Sequence, residues 1–281
     1  MLKFDPKLTK CPLCRAENIN FHFKDFRDVD IFKCATCLVQ FMNPQYSNDY
    51  LDKFYANYIN DSDIYTRMKF SRQQYSDYFS IIEKHVRIDS RSLLDIGCGD
   101  GLLLNTASKY KWNAEGYDVD RETVERVKKR IGLPVYSGDF FNIEWRSNYY
   151  NLVTMHQVLE HLKNPRKYLE QVHELLSEGG LLFIASPNIN SLSARIKFWL
   201  ESKGLRKKNI GSYYDTDHHL VYFCPKVLSS LLKQLGYDVL FTRNGFKLES
   251  SNKSPIMKFI THNIIERLWW RSVFILVARK K

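Results

Sequence analysis

The chain has 281 residues, 44% hydrophobic and 26% charged, with Gly 12 and Pro 8. That composition can build a globular core and excludes a disordered, collagen-like or low-complexity chain. Lys+Arg 42 against Asp+Glu 31 gives a formal net charge of +11, which points to an anionic partner or to a solvated basic surface. No uncharged apolar run reaches the roughly 18 residues of a membrane span. The opening Met1-Leu2-Lys3-Phe4-Asp5-Pro6 lacks the apolar core of a secretory signal, so a cytoplasmic location is expected.

Residues 1–44 carry two paired cysteine knuckles, Cys11-Pro12-Leu13-Cys14 and Cys34-Ala35-Thr36-Cys37. Each knuckle offers two thiolates from one tight turn, and the spacing predicts a ribbon holding one structural Zn2+. Four sulfurs close the tetrahedral shell, so His22 between the knuckles is not needed and the site has no open position for catalysis. Disulfides are disfavoured by the expected compartment. Cys98 and Cys224 are unpaired and read as ordinary small residues.

Residues 45–88 read as a helical connector. Tyr50, Phe54 and Tyr58, then Tyr75, Tyr78, Phe79 and Ile82, recur at three- and four-residue steps. Most of these aromatics are expected to pack, and a few to cover a ligand on the next domain. From residue 89 to 281 strands and helices alternate. The buried strand Ser92–Ile96 runs directly into Gly97-Cys98-Gly99-Asp100-Gly101, and a helix follows from Leu102. Glycines there allow a sharp turn and close approach of a ligand to the helix N–H groups. A second strand, Ala114–Asp118, ends in an acid able to hold both hydroxyls of a ribose. A third, beginning near Pro134, ends at Asp139. Tyr150–His156, Gly180–Ser186, Tyr237–Thr242 and Ser272–Ala278 complete the predicted strands.

These motifs resemble class I S-adenosylmethionine-dependent methyltransferases, carried by Leu94-Asp95-Ile96-Gly97-Cys98-Gly99-Asp100-Gly101, Asp118, Asp139 and Val158-Leu159-Glu160-His161. The resemblance implies an α/β, Rossmann-like seven-stranded sheet, mostly parallel with the last strand antiparallel. It assigns the cofactor to Asp95, Gly97, Cys98, Gly99, Asp118, Val119, Asp139, Phe140 and His156. The whole chain is similar to a branch fronted by a four-cysteine zinc ribbon and common in bacterial surface-polysaccharide and small-molecule pathways. Cys34-Ala35-Thr36-Cys37-Leu38, Asn43-Pro44, Pro187-Asn188 and His219-Leu220-Val221-Tyr222-Phe223 carry that likeness, with Leu38 where the branch has glycine.

Methyl transfer to a hydroxyl needs an acceptor held in line and a group that takes its proton. His161 and His219 are the catalytic candidates, each set against a structural role as a turn or lid residue, and His218 is the lesser of its pair. Some ubiquinone-pathway O-methyltransferases carry ExxEH and bind a cation through it, but Gln157 replaces the first acid here. An Asn-Pro-Pro-Tyr sequence for amino-group chemistry is missing after strand four, and Cys224-Pro225 is expected to open a helix over 226–235. The expected acceptor is a small hydroxylated metabolite, a sugar or a nucleotide- or lipid-linked sugar, met in the insertion 187–223. An RNA methyltransferase gripping phosphates through the ribbon and basic segments is the alternative, and a cofactor-binding scaffold without turnover is a third.

Two segments hold most of the charge excess: Arg195, Lys197, Lys203, Arg206, Lys207 and Lys208 against Glu201, and Arg267, Arg271, Arg279, Lys280 and Lys281 with no acid. The first predicts an amphipathic basic helix with Leu192, Ile196, Trp199 and Leu200 on one face. Such a helix can pack on its own domain, clasp a phosphate-bearing acceptor or touch an anionic membrane.

Overall fold

The structure is a computed structural model that describes residues 3–25, 27–56, 74–83, 91–205, 213–214, 216–245 and 273–281. At the front, β1 (Ile19–Lys24), β2 (Asp30–Cys34) and β3 (Gln40–Met42) pair antiparallel, and α1 (Asn48–Ala56) and a helical stretch at 74–83 follow. Next come β4 (Ser92–Ile96), α2 (Leu102–Lys109), β5 (Asn113–Tyr117), α3 (Arg121–Ile131), β6 (Val135–Tyr136) and β7 (Tyr150–His156). The rest is α4 (Pro165–Leu175), β8 (Leu176–Pro187), α5 (Leu192–Ser202), β9 (Val221–Tyr222), α6 (Pro225–Gln234), β10 (Tyr237–Asn244) and β11 (Val273–Lys280).

Seven strands form the main sheet in the order β10-β11-β8-β7-β4-β5-β6. Strands β4 to β8 pair in parallel, and β11 runs antiparallel to both of its neighbours, as expected from the sequence. All five residues of β4 are buried, Ser92 and Asp95 included, as in a strand covered on both faces. The chain order reverses between β5 and β7 on either side of β4. A crevice therefore opens beyond the carboxyl ends of β4 and β7, the usual place for a ligand in such a sheet.

Local chemistry sets the helix ends around that crevice. Asp120 caps α3 by accepting from the N–H groups of Glu122 and Thr123, and Ser191 caps α5 through Ala194. Pro225 is the first residue of α6, where its missing N–H costs nothing.

The ribbon does not stand apart. Strand β3 pairs antiparallel with β9, placing Gln40 opposite Tyr222 and Phe41 opposite Val221, so the front sheet has the order β1-β2-β3-β9. Ile31, Val39, Phe41 and Met42 are fully buried and join one core with Leu220–Phe223. Truncating a Phe in such a position costs roughly 3–5 kcal/mol.

The basic helix α5 forms where expected, but its inward face differs. Ala194 is buried and Phe198 packs on Phe23 and Tyr213 at ring separations of 5.0 and 4.8 Å, while Ile196 and Trp199 are exposed. The aromatic wall of the ribbon and of 213–214 selects Phe198, and helical geometry then turns Ile196 and Trp199 outward. Arg206, Lys207, Lys208, Arg267 and Arg271 lie outside the described residues.

Candidate active site

The cofactor-side residues converge at the end of β4. Gly97 has φ +74° and a Cβ built on it would clash with the Val158 side chain, so only glycine lets the loop pass under the segment that follows β7. Gly99, at φ +49°, faces open space, and its N–H donates to Asp118 Oδ2 at 2.9 Å. Asp118 Oδ1 accepts from the Asp120 N–H at 3.1 Å, which leaves each oxygen a lone pair for a further donor. Asp95 is buried and accepts from the Thr154 hydroxyl at 2.6 Å. Burial, reinforced by the charges of Asp118 and Asp100, pushes Asp95 up to about 7. Burial raises Asp118 as well. Converging carboxylates of this kind favour a cationic ligand.

Other predicted positions take different stations. Val119 is exposed at the rim and Asp139 caps the turn at Phe140–Asn142, accepting from Phe141 N–H at 3.0 Å. The Phe140 ring points into the core, 5.0 Å from the rings of both Tyr117 and Tyr168. The Cys98 thiol is buried over Gly116 and Leu104, and burial pushes its pKa up, so it is packing rather than reactive. His156 lies 5.3 Å from the Tyr75 ring and 5.8 Å from that of Tyr78, and burial draws its imidazole down to about 4. Tyr75 thus packs on His156, and burial, reinforced by the charges of Asp95 and Asp100, raises its phenol. Its helical spacing with Tyr78 was the only signal in the sequence.

On the opposite side of residues 157–161 lies a second cavity of about 240 Å3. Gln157, Glu160, Asn188, Lys197 and His219 supply its polar lining, and Tyr213, Tyr214 and Phe223 supply aromatic walls. Gln157, held at φ +56° by a hydrogen bond from its N–H to the Ala185 carbonyl at 2.8 Å, brings its amide into this space. The buried Gln157 Nε2 and Glu160 Oε1 have no hydrogen-bond partner among the described residues. Unmade bonds of this kind cost about 1–3 kcal/mol each, which a ligand in the cavity would recover. Glu160 Oε2 accepts from Ser186 at 3.0 Å, and burial pushes the carboxyl up to about 8.

His161 and His219, the catalytic candidates, meet here and are joined by His218. The ring of His161 stands 4.9 Å from those of both His218 and His219, which are themselves 4.6 Å apart. Burial draws His161 down to about 3 and His219 well below its ordinary value, with the neighbouring imidazoles adding to the effect. All three imidazoles stand together only because β9 carries residues 218–219 against the Leu159–His161 turn, where Leu220 N–H donates to the Glu160 carbonyl at 2.7 Å.

The four ribbon cysteines converge as predicted, their sulfurs within 4.8 Å of one another. Cys11 Sγ is 3.6 Å from Cys37 Sγ, and Cys14 Sγ is 3.5 Å from Cys34 Sγ. A tetrahedral Zn2+ with Zn–S near 2.3 Å sets its sulfurs about 3.8 Å apart, so the donor set and spacing fit that ion. Leu38 adopts φ +67° after the second knuckle, the conformation for which related ribbons use glycine.

The methyltransferase-domain family matches residues 70–242. Among curated proteins, the ubiquinone biosynthesis O-methyltransferase of Hydrogenovibrio crunogenus is 23% identical over 184 residues, 63% of this chain and 72% of that protein. Its namesake from Coxiella burnetii is 24% identical over 114 residues, 39% of this chain and 49% of that protein, so the chain spans only about half of the second relative. In solved structures, the fold resembles the plantazolicin methyltransferase BpumL in complex with SAH, with TM-score 0.55 and 17% identity, covering 82% of this chain and 94% of that one. It also resembles a structure of the complex between the Haloferax volcanii Trm112 methyltransferase activator and a methyltransferase, with TM-score 0.55 and 15% identity, covering 82% and 96%. The family match spans more than half of the chain and coincides with the glycine loop, the acid after β5 and the seven-stranded order, and on these grounds the chain belongs to the S-adenosylmethionine-dependent methyltransferases.

Proposed function

We propose that the chain transfers a methyl group to a hydroxyl of a small metabolite, a sugar or a nucleotide- or lipid-linked sugar, bound in the 240 Å3 cavity. The observation that carries this reading is the pair of buried, unpaired polar atoms, Gln157 Nε2 and Glu160 Oε1, at that cavity. Val158, from the same turn, packs on Gly97, so the cofactor loop and the cavity share one short wall. Polar groups beside aromatic faces suit a sugar ring, which presents hydroxyls at its rim and C–H groups on its faces. Lys197 supports a phosphate on the acceptor. Two relatives are named as O-methyltransferases, which supports oxygen as the methylated atom.

The open space at Gly99 and the unused lone pairs of Asp118 fit the cofactor. Asp118 takes the ribose hydroxyls, and Asp95 with the loop 97–99 faces the cationic amino acid end; Val119 and Asp139 border the adenine, and His156 closes the floor beneath Tyr75. When bound, S-adenosylmethionine supplies an electrophilic methyl group on a sulfonium. His161 and His219 act on the acceptor's hydroxyl from the turn after β7 and the segment before β9. Cys11, Cys14, Cys34 and Cys37 hold one structural Zn2+ in the unit 1–44, with 45–88 as the connector and 89–281 as the catalytic domain. Among the described residues no helix is long and apolar enough to cross a membrane. We place the enzyme in the cytoplasm, where Trp199 and Ile196 offer peripheral contact with a lipid-linked acceptor.

The test is incubation of the purified enzyme with methyl-labelled cofactor and separate panels of nucleotide sugars, lipid-linked sugars, phenols and RNA, read by mass spectrometry. Label on a sugar hydroxyl is expected. Label on RNA alone, lost as salt rises, would overturn the reading.

A further inference from the structure

Three histidines from two remote segments, 161 and 218–219, each place a ring nitrogen within 4.8 Å of the other two. Their ring centres form a nearly regular triangle of 4.9, 4.9 and 4.6 Å. Three imidazoles bound tetrahedrally to one ion at about 2.1 Å would have ring centres roughly 5 Å apart. Neutral imidazole is also the form that binds metal, and burial favours it at His161 and His219.

Two further observations point to a cation. His161 Nδ1 lies 3.1 Å from the Tyr55 hydroxyl and 3.3 Å from the His218 carbonyl oxygen. A ligating histidine typically commits one ring nitrogen to a backbone carbonyl in this way, which frees the lone pair on the other, here Nε2. That Nε2 stands 4.0 Å from Oε1 of the buried Glu160, an atom that has no hydrogen-bond partner among the described residues. A positive ion beside it would supply the missing partner and the balancing charge.

We propose that His161, His218 and His219 form a second metal site, for a divalent transition-metal cation of the kind imidazole prefers, Zn2+ or Fe2+, with Glu160 as its charge partner. The site is distinct from the four thiolates of the ribbon. It opens on the cavity through His219 and Glu160, so it deepens the acceptor-site reading and rests on it for its purpose. An acceptor hydroxyl reaching the cation would have its pKa lowered toward neutrality and would release its proton to water before transfer. The imidazoles then act as ligands, a task for which their weak basicity is no handicap.

Binding is measured without turnover, so its failure leaves the methyltransferase reading standing. Full-length protein carrying zinc in its ribbon is titrated with Co2+, followed by visible absorption and by metal analysis. The expected result is one added equivalent with weak d–d bands and no thiolate-to-cobalt charge transfer. His218→Ala and His219→Ala should each weaken it by about 100-fold or more, since even outer partners of a metal ligand contribute 10–100-fold. His22→Ala, at a histidine of β1 outside the triad, should leave it unchanged. Retention of one ribbon zinc reports that each variant is folded, and His218→Gln replaces any variant that loses it. No added equivalent at millimolar Co2+, charge-transfer bands alone, or binding that survives the His218 and His219 variants would overturn the proposal.

Discussion

The proposed cofactor side of the molecule is written in one stretch of chain, residues 92–140, whereas the proposed acceptor side is assembled from segments near 40–55, 157–161, 187–199 and 213–223. The first side depends on local rules: a buried strand, a glycine turn, a helix N-terminus and an acid one strand later. The second depends on a ribbon strand and an insertion meeting across the domain. Met42 N–H donates to the Leu220 carbonyl at 2.9 Å, and Leu220 N–H donates onward to Glu160, so one residue links the ribbon to the cavity. Tyr214 reaches Gln40 at 2.9 Å, Thr216 reaches Asp25 at 2.5 Å, and Arg27 bridges to Asp217 at 3.2 Å. The ribbon is thus a wall of the acceptor side, and the two sides should fail separately.

The largest expected effect breaks the acceptor side alone. Cys14→Ser removes one of the four converging thiolates and, with it, a ligand of the Zn2+ proposed to hold the ribbon together. Acceptor kcat/KM should fall by about 100-fold or more, because β9 loses its β3 partner and 213–223 lose their backing. Affinity for S-adenosylmethionine should stay within about threefold. Intact acceptor kinetics in zinc-free protein would show that the ribbon is an appendage.

Asp118→Ala is the mirror experiment. It removes the acceptor of the Gly99 N–H and both oxygens offered to the ribose. Each bond to a charged group contributes roughly 1.5–3 kcal/mol, so calorimetry should show cofactor affinity lowered at least about tenfold. Unfolding midpoints of the ribbon should not move.

A smaller, pH-dependent effect belongs to Asp95. Its carboxyl is raised to about 7 in the free protein, chiefly by burial, and a cationic ligand prefers it ionised. Binding therefore weakens as pH falls through 7 and tightens as it rises. At pH 6 about a tenth of the sites are ionised, so affinity should be up to about tenfold below its value at pH 8. Asp95→Asn should flatten this dependence, and a profile equally steep in the variant would assign it to another group.

The same contrast explains what could be read from the sequence. The convergence of Asp95, Gly97, Gly99 and Asp118 was legible because strand, glycine turn and acid lie within about 25 residues, and that of the knuckles because thiolate spacing is diagnostic. The packing of Phe140 was not legible: its neighbour Asp139 stays at the rim, while the ring joins Tyr117 and Tyr168 in the core. The inward face of α5 was missed because Phe198 is chosen by Phe23, a ribbon residue 175 positions away that helical periodicity cannot register. His218 was ranked below His219 because the family resemblance falls on His219, whereas the pairing of β3 with β9 brings both beside His161. Tyr55, on a helix that reads as plain packing, reaches His161 only in three dimensions.

The smallest effect sharpens the comparison from inside the ribbon. Arg15 and Leu38 follow the second cysteine of each knuckle, and both hold positive φ, 64° and 67°. Their N–H groups close the turns onto the carbonyls of Cys11 and Cys34 at 3.0 and 3.1 Å, so the conformation is imposed by the knuckle itself. A side chain in this region costs roughly 1–2 kcal/mol, and Leu38 is 49% exposed, so little packing offsets that cost. Leu38→Gly relieves it but adds about 0.5–1 kcal/mol of unfolded-chain entropy. The net gain should be about 0.5–1 kcal/mol, seen as a rise of about 2–8 °C in the unfolding of the ribbon. Cofactor affinity should be untouched, because the glycine loop draws on none of these contacts. A loss of stability instead would mean that the Leu38 side chain makes an interaction on the ribbon surface worth more than the strain it carries.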